Sequence, residues 1–256
     1  MRSSAVVAAV VLSAFGLAST GQAAFYGDFV GSTVTFEGVQ DQNDLFGMPI
    51  VSADTLDFNP NTFEAQCPLP SCTGGSTLVD DTLTFTIQAN SGQIIDDIVL
   101  SEAGDSTLAT FIPNDLAVSS VSANVFIDIL EIDGVPVNNI NANDTMVFTN
   151  GGSFLRSFGA DGVGTTNTAW TGLLNIDLDA IIAGAGATGS ATRVTLNINN
   201  TLTAFAGDGL GGPGAAQAFI EKKDFDGLAV TVVPEPGTAL LMGLGLAGLA
   251  ANRRKN

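Results

Sequence analysis

The sequence predicts an all-β protein: an antiparallel, jelly-roll-like β-sandwich ectodomain lying between a helical segment at each terminus. Three observations carry that expectation. Short runs rich in Val, Ile, Thr and Phe recur through the middle of the chain with a period of two, the spacing that puts alternate side chains on one face of a strand. Gly, Asn, Asp and Ser interrupt those runs at short intervals and supply turns. No long stretch between the termini repeats its apolar residues at helical spacing. Many short strands and no amphipathic helix is the pattern that packs sheet on sheet.

The chain begins with Arg2, then an apolar run from Ala5 to Ala18, then Ser19, Thr20, Gly21 and Ala23. A charged start, a short apolar helix and a small-residue site describe a secretory signal peptide over residues 1–23. The expected cut follows Ala23, with Ala24 the alternative; an uncleaved N-terminal anchor is the competing reading. No cysteine stands at the junction, so lipid attachment is not expected there.

Residues 24–231 are assigned to the sandwich. Thr33–Phe36 and Asp81–Ile87 alternate, the latter with Leu83, Phe85 and Ile87 on one face. Ile95–Leu100 follows. The longest candidate is Val118–Ile132, where Val121, Ala123, Val125, Ile127 and Ile129 share a face. Asp133-Gly134 then predicts a hairpin turn into Val135-Pro136-Val137. Further strands are expected at Met146–Phe148, Thr171–Ile176, Val194–Asn199, Ala218–Ile220 and Leu228–Val232. One short helix is expected over Asp177–Gly184, with an acidic start and a glycine stop. Gly184–Gly189 reads as a turn and Gly207–Gly214 as a flexible loop. Trp170, the single tryptophan, is expected in the core beside a strand.

Between the two terminal segments, four basic residues (Arg156, Arg193, Lys222, Lys223) face 25 acidic ones, a net charge of −21. Nucleic acid and anionic membrane surfaces need cations on their partner, so neither is expected to bind this region. The cysteines occur as Cys67-Pro68-Leu69-Pro70-Ser71-Cys72. An exported chain meets an oxidising compartment, and a bridge closing this small loop would contribute about 2 kcal/mol on the loop-entropy account. The chain has no histidine, which removes the usual base of Ser and Cys nucleophiles. No phosphate-binding glycine motif is present. A pair of carboxylates could still hydrolyse a glycoside, but one Trp and one Tyr make a poor sugar platform. The expectation is therefore no catalytic residue and no cofactor. Calcium is the one ion its oxygen-rich loops would suit, at a weak site built from Asp28, Asp41 and Asp44, with Asp161-Gly162-Val163-Gly164 a second candidate loop. None of these has EF-hand spacing, and turns rich in Asp and Asn are ordinary in β proteins without any ion.

The last residues read VVPEPGTALLMGLGLAGLAANRRKN. Pro234-Glu235-Pro236 cannot continue a helix and hold the backbone extended. Gly237–Ala251 is an unbroken apolar run of fifteen residues, expected as a short transmembrane helix; a full span takes roughly 20, and bilayer thinning with snorkelling cations covers the difference. Arg253, Arg254 and Lys255 keep that end cytoplasmic. An extended strip just outside a membrane suits an enzyme that cuts backbone; a plain anchor left in place is the alternative.

In these three parts and their order, residues 232–256 closely resemble the PEP-CTERM sorting signal of Gram-negative bacteria. Ile94–Asp105, Ala191–Leu202 and Ala218–Val233 also resemble strand segments of that family's ectodomains. The resemblance implies processing by a membrane protease, an exosortase, near Pro234, Glu235 and Pro236. It implies a protein transiently held in the inner membrane and then placed at the cell surface or in extracellular matrix, associated with exopolysaccharide or biofilm. The expected role is structural. A carbohydrate-binding module for the cell's own polysaccharide, with calcium as an optional partner, is the alternative.

Overall fold

The computed structural model describes residues 23–233 apart from residues 61, 69–71, 73–74, 209, 211–213 and 224–226. Fifteen strands follow one another: β1 (Ala24–Val30), β2 (Val34–Asp41), β3 (Ile50–Ser52), β4 (Thr55–Phe58), β5 (Glu64–Cys67), β6 (Gly75–Ala89), β7 (Asp97–Thr110), β8 (Asp115–Ile132), β9 (Val135–Thr145), β10 (Val147–Phe148), β11 (Ser153–Ser157), β12 (Gly164–Asp177), β13 (Ala191–Asp208), β14 (Gln217–Lys222) and β15 (Leu228–Val233). Among the described residues two short α-helices, α1 (Phe158–Asp161) and α2 (Leu178–Gly184), and one 3-10 turn (Thr149–Gly152) interrupt them.

The strands form two sheets in which every pairing is antiparallel. The first runs β1-β2-β6-β13-β8, and the far side of β8 is shared by β11 at its beginning and β9 at its end. The second runs β10-β12-β7-β15-β4-β3, with β14 and β5 continuing beside β7 where β15 leaves off. β7 thus carries β12 along its whole length on one side and two strands in succession on the other. The two inner faces make one apolar core, as the alternation predicts. From β8, Val121, Ala123, Val125, Ile127 and Ile129 are buried, and from β6, Leu83, Phe85 and Ile87. Phe46 meets Phe58 and Phe63 edge-on at ring distances of 6.0 and 5.2 Å, and each such burial contributes about 1.5–3 kcal/mol.

Local chemistry explains the turns. Asp133 and Gly134 both have positive φ (50° and 75°), the pair of angles a two-residue hairpin needs. Asp177 caps α2 by accepting from Ala180 N at 2.8 Å, so the helix begins one residue later than the acidic run. Gly104 is required for packing: a Cβ there would lie 2.0 Å from the Trp170 ring and 2.2 Å from Glu221 O.

Several elements exceed the sequence reading. β6, β7, β12 and β13 extend well beyond their predicted cores, and β8 by three residues at its start, because neighbouring strands hold residues of mixed pattern in register. β1, β3, β4, β5 and β11 were not expected from the sequence; β4 and β5 alternate, but over four residues only. In β1 the register against β2 shifts on both sides of Gly27, a bulge that breaks the period of two.

Candidate functional site

Residues 1–22 and 234–256 lie outside the described residues, and with them all but the last residue of the expected signal peptide, Pro234, Glu235, Pro236, the apolar run and Arg253, Arg254 and Lys255. Among the described residues no helix is long and apolar enough to cross a membrane. The structure does describe where the chain leaves for its tail. β15 sits inside the second sheet, paired with β7 on one side and β4 on the other. Its last residue, Val233, pairs with Asp97, and Val232 N donates to Asp54 O at 2.9 Å. The backbone is therefore locked on both flanks almost to the residue before Pro234. Asp97 pairs in turn with Asp177 of β12, and Asp96 O accepts from Leu178 N. This end of the sandwich is acidic: burial, then the charges of Asp96 and Asp177, push the Asp179 carboxyl above its usual range.

The calcium candidates divide. Asp41 and Asp44 come together on Tyr26, whose phenol donates to Asp41 Oδ2 at 2.9 Å and Asp44 Oδ1 at 2.8 Å. Asp28 does not join them; its Oδ1 accepts from Gly38 N at 2.7 Å. Asp161 accepts from Ser157 N at 2.9 Å. Among the described residues no group of three or more acidic or cysteine side chains is arranged to hold a metal ion. What Asp41 does instead is shape a loop. It accepts from Asp44 N at 2.8 Å and Phe46 N at 3.1 Å. Asp81, wholly buried and not singled out from sequence, accepts from Gln42 N, Asn43 N, Leu45 N and Thr82 N at 2.7–3.0 Å. The two carboxylates bind residues 42–46 by their backbone and lower Phe46 into the core. Burial raises both carboxyls above the usual range, and these hydrogen bonds oppose that rise.

Cys67 and Cys72 are joined as a disulfide. Cys67 is buried at the end of β5, beside Ala218 of β14, so the bridge fastens the segment after β5 to the sheet.

The core holds a polar group that the sequence reading missed. Lys222, Gly104 and Trp170 stand in one row across β14, β7 and β12. Gly104 lacks a side chain, so the indole fills the space above it. Glu102, two residues along β7 on the same face, lies against Lys222: Nζ and Oε2 are 2.6 Å apart, with both side chains fully out of solvent. From the opposite sheet, Asn200 of β13 donates Nδ2 to Glu102 Oε1 at 2.5 Å. The rings of Phe63, Phe46 and Trp170 surround the ammonium at 5.4, 5.6 and 6.0 Å, favourable positions for a cation. Burial pulls the Lys222 pKa down, against the raising effect of Glu102. A signal was present: Glu102 follows Ile98 and Leu100, Asn200 lies between Ile198 and Leu202, and Lys222 follows Ala218 and Ile220. In each strand the period of two places a polar residue on the buried face.

The outward face of the first sheet is polar and regular. Neighbouring side chains bond across it: Thr84 with Asn197, Thr86 with Thr195, Thr82 with Asn199, and Asn124 with Thr145, at 2.8–3.1 Å. Phe126 pairs with Asn197 in the middle of this face and is half exposed.

Comparison with known proteins adds one specific match. Residues 232–255 match the family model described as the PEP-CTERM protein-sorting motif. No curated protein matches the chain. Among solved structures, the carbohydrate-binding module TmCBM61, in complex with β-1,4-galactotriose, is 7% identical over 62% of this chain and 69% of its own, with a TM-score of 0.17. The VP2 subviral particle protein of infectious bursal disease virus is 11% identical over 89% and 60%, TM-score 0.17. Tailspike protein 4 of bacteriophage CBA120 is 13% identical over 84% of this chain and 20% of its own, TM-score 0.19. Likenesses this distant carry no argument about function.

Proposed function

The chain carries a PEP-CTERM protein-sorting motif, the mark of an exported protein sorted at the cell envelope with an exosortase as processing partner, and from that premise we propose a non-enzymatic surface or matrix protein. The single observation that carries this reading is the motif's position: it starts at Val232, inside the last strand of the sandwich. In this reading Gly237–Ala251 inserts in the inner membrane of a Gram-negative cell, Arg253, Arg254 and Lys255 hold its end inside, and the exosortase cuts near Pro234, Glu235 and Pro236. The locked β15 supports it, because a protease reading extended backbone finds none free before Pro234. The acidic exit end supports it too. Those carboxylates repel anionic headgroups, which favours a folded domain standing off the membrane with the proline strip accessible. The processed sandwich then joins envelope or exopolysaccharide material.

Replacing Pro234, Glu235 and Pro236 by alanine in the native host tests the assignment. The expected product is a membrane-held precursor of unprocessed mass; a normal mature mass would refute it.

A second reading, binding of the cell's own polysaccharide, is favoured by one observation: the flat Thr/Asn face of the first sheet with Phe126 at its centre. Amides and hydroxyls held by their neighbours suit sugar hydroxyls, and a half-exposed ring can stack on a sugar. Phe126→Ala should abolish retention on extracted matrix polysaccharide if this face binds it, and leave retention unchanged if it does not.

A further inference from the structure

Lys222, Asn200 and Glu102 are, chemically, an amine, a carboxamide and an acid–base group held together in a water-excluded core. The two oxygens of one carboxylate touch the other two residues, Oε2 on Lys222 Nζ and Oε1 on Asn200 Nδ2. Lys222 and Glu102 belong to one sheet and Asn200 to the other. We propose that Lys222 and Asn200 condense to an internal isopeptide bond that ties β14 to β13 and so cross-links the two sheets.

The step balances without oxidant or reductant. Glu102 takes a proton from the Lys222 ammonium and frees the Nζ electron pair. That pair attacks Asn200 Cγ; the new C–N bond forms as the carbonyl π pair moves onto Oδ1. When the pair returns, the Cγ–Nδ2 bond breaks, and protons relayed through Glu102 convert the leaving Nδ2 to ammonia. Nζ keeps one hydrogen as the new amide N–H. The protein loses one molecule of ammonia, and Glu102 keeps the last proton released by Nζ and ends as a neutral acid.

The surroundings favour each part. Desolvation already favours the neutral, nucleophilic amine of Lys222. Fixed reactants replace a bimolecular encounter by an intramolecular one, a large part of the barrier in such reactions. Asn200 Oδ1 is buried with no hydrogen-bond partner, so no contact is given up when its carbonyl rehybridises. The product exchanges a buried ion pair, costly to keep dry, for a neutral amide. Phe46, lowered over Lys222 by the backbone bonds of Asp41 and Asp81, helps exclude water that would compete. The inference stands whatever becomes of the C-terminal tail.

The test is mass spectrometry of the exported protein purified from cells, denatured and with its disulfide reduced. The intact mass should fall below that of its own sequenced termini by one ammonia, about 17 Da. Trypsin should fail to cut after Lys222 and release residues 194–223 as one internally looped peptide, which cleavage after Phe205 opens into two chains still joined. Asn200→Ala should show the full mass. Glu102→Gln should slow bond formation by about a hundredfold, the usual contribution of a positioned acid–base group. A full mass in the unaltered protein, with normal cleavage after Lys222, would overturn the proposal. So would loss of one water with Glu102 as the residue joined to Lys222.

Discussion

Glu102 and Lys222 form an ion pair of 2.6 Å with both side chains wholly removed from solvent, within a largely apolar core. Removing one partner strands the other charge in an apolar core, which typically costs about 3–5 kcal/mol. In the Asn200→Ala background, where Lys222 cannot be cross-linked, Glu102→Ala should lower stability by that amount in urea unfolding at neutral pH. The double change Glu102→Leu with Lys222→Met should recover most of the loss, because neither charge then remains. A double variant no more stable than Glu102→Ala would show that the core depends on polar contacts here rather than on volume.

Tyr26 is the chain's only tyrosine, so its ionisation can be followed alone. Burial, then the hydrogen bonds to Asp44 and Asp41, drive its pKa far upward. The folded state therefore holds a proton that the unfolded chain releases near pH 10, and stability must fall as pH rises above that value. In an alkaline titration, tyrosinate absorbance should stay absent near pH 10 and appear together with unfolding. A smooth titration centred near 10 in folded protein would contradict the bonding described.

Asp81 accepts four backbone N–H groups, three of them from residues 42–45. Asp81→Ala leaves Asn43 N and Leu45 N without that acceptor, while Gln42 N keeps Thr82 O at 3.1 Å; the cost is about 3 kcal/mol. Hydrogen exchange should show the amides of Asn43 and Leu45 losing protection while those of β13 keep theirs.

The same loop holds the calcium candidates Asp41 and Asp44, and calcium remains a proposal that melting can decide. An ion bound to the folded state alone raises the midpoint with its concentration. With Asp28 engaged by Gly38, and Asp41 by Tyr26, Asp44 and Phe46, the expected midpoints in millimolar calcium and in chelator are equal. A rise of several degrees with calcium would establish the site.

Gly104 lies under the Trp170 indole. A methyl group there meets ring and backbone atoms at 2.0–2.2 Å, so the buried indole and the β14 backbone must both shift to admit it. Gly104→Ala should destabilise by about 3 kcal/mol, the upper part of the usual overpacking range, and should shift tryptophan fluorescence, which reports only Trp170.

Much of the fold is local chemistry and was legible on that account. The period of two in Leu83–Ile87 and Val121–Ile129 needs no partner to be recognised. The Asp133-Gly134 turn, the cap of α2 at Asp177 and the Cys67–Cys72 bridge each depend on residues a few positions apart. The C-terminal motif, likewise, is read from order alone. The remainder rests on separations that no window spans. β1 hid behind a bulge at Gly27, and β3, β4 and β5 are three or four residues long, too short to show a period. That β14 and β15 share one flank of β7, that Asp81 reaches back to residues 42–45, and that Glu102, Asn200 and Lys222 meet at one point are results of long-range register. Alternation told which way each of those side chains faces; only strand pairing and the packing of one sheet on the other, which bring together residues about a hundred positions apart, decided what it would face.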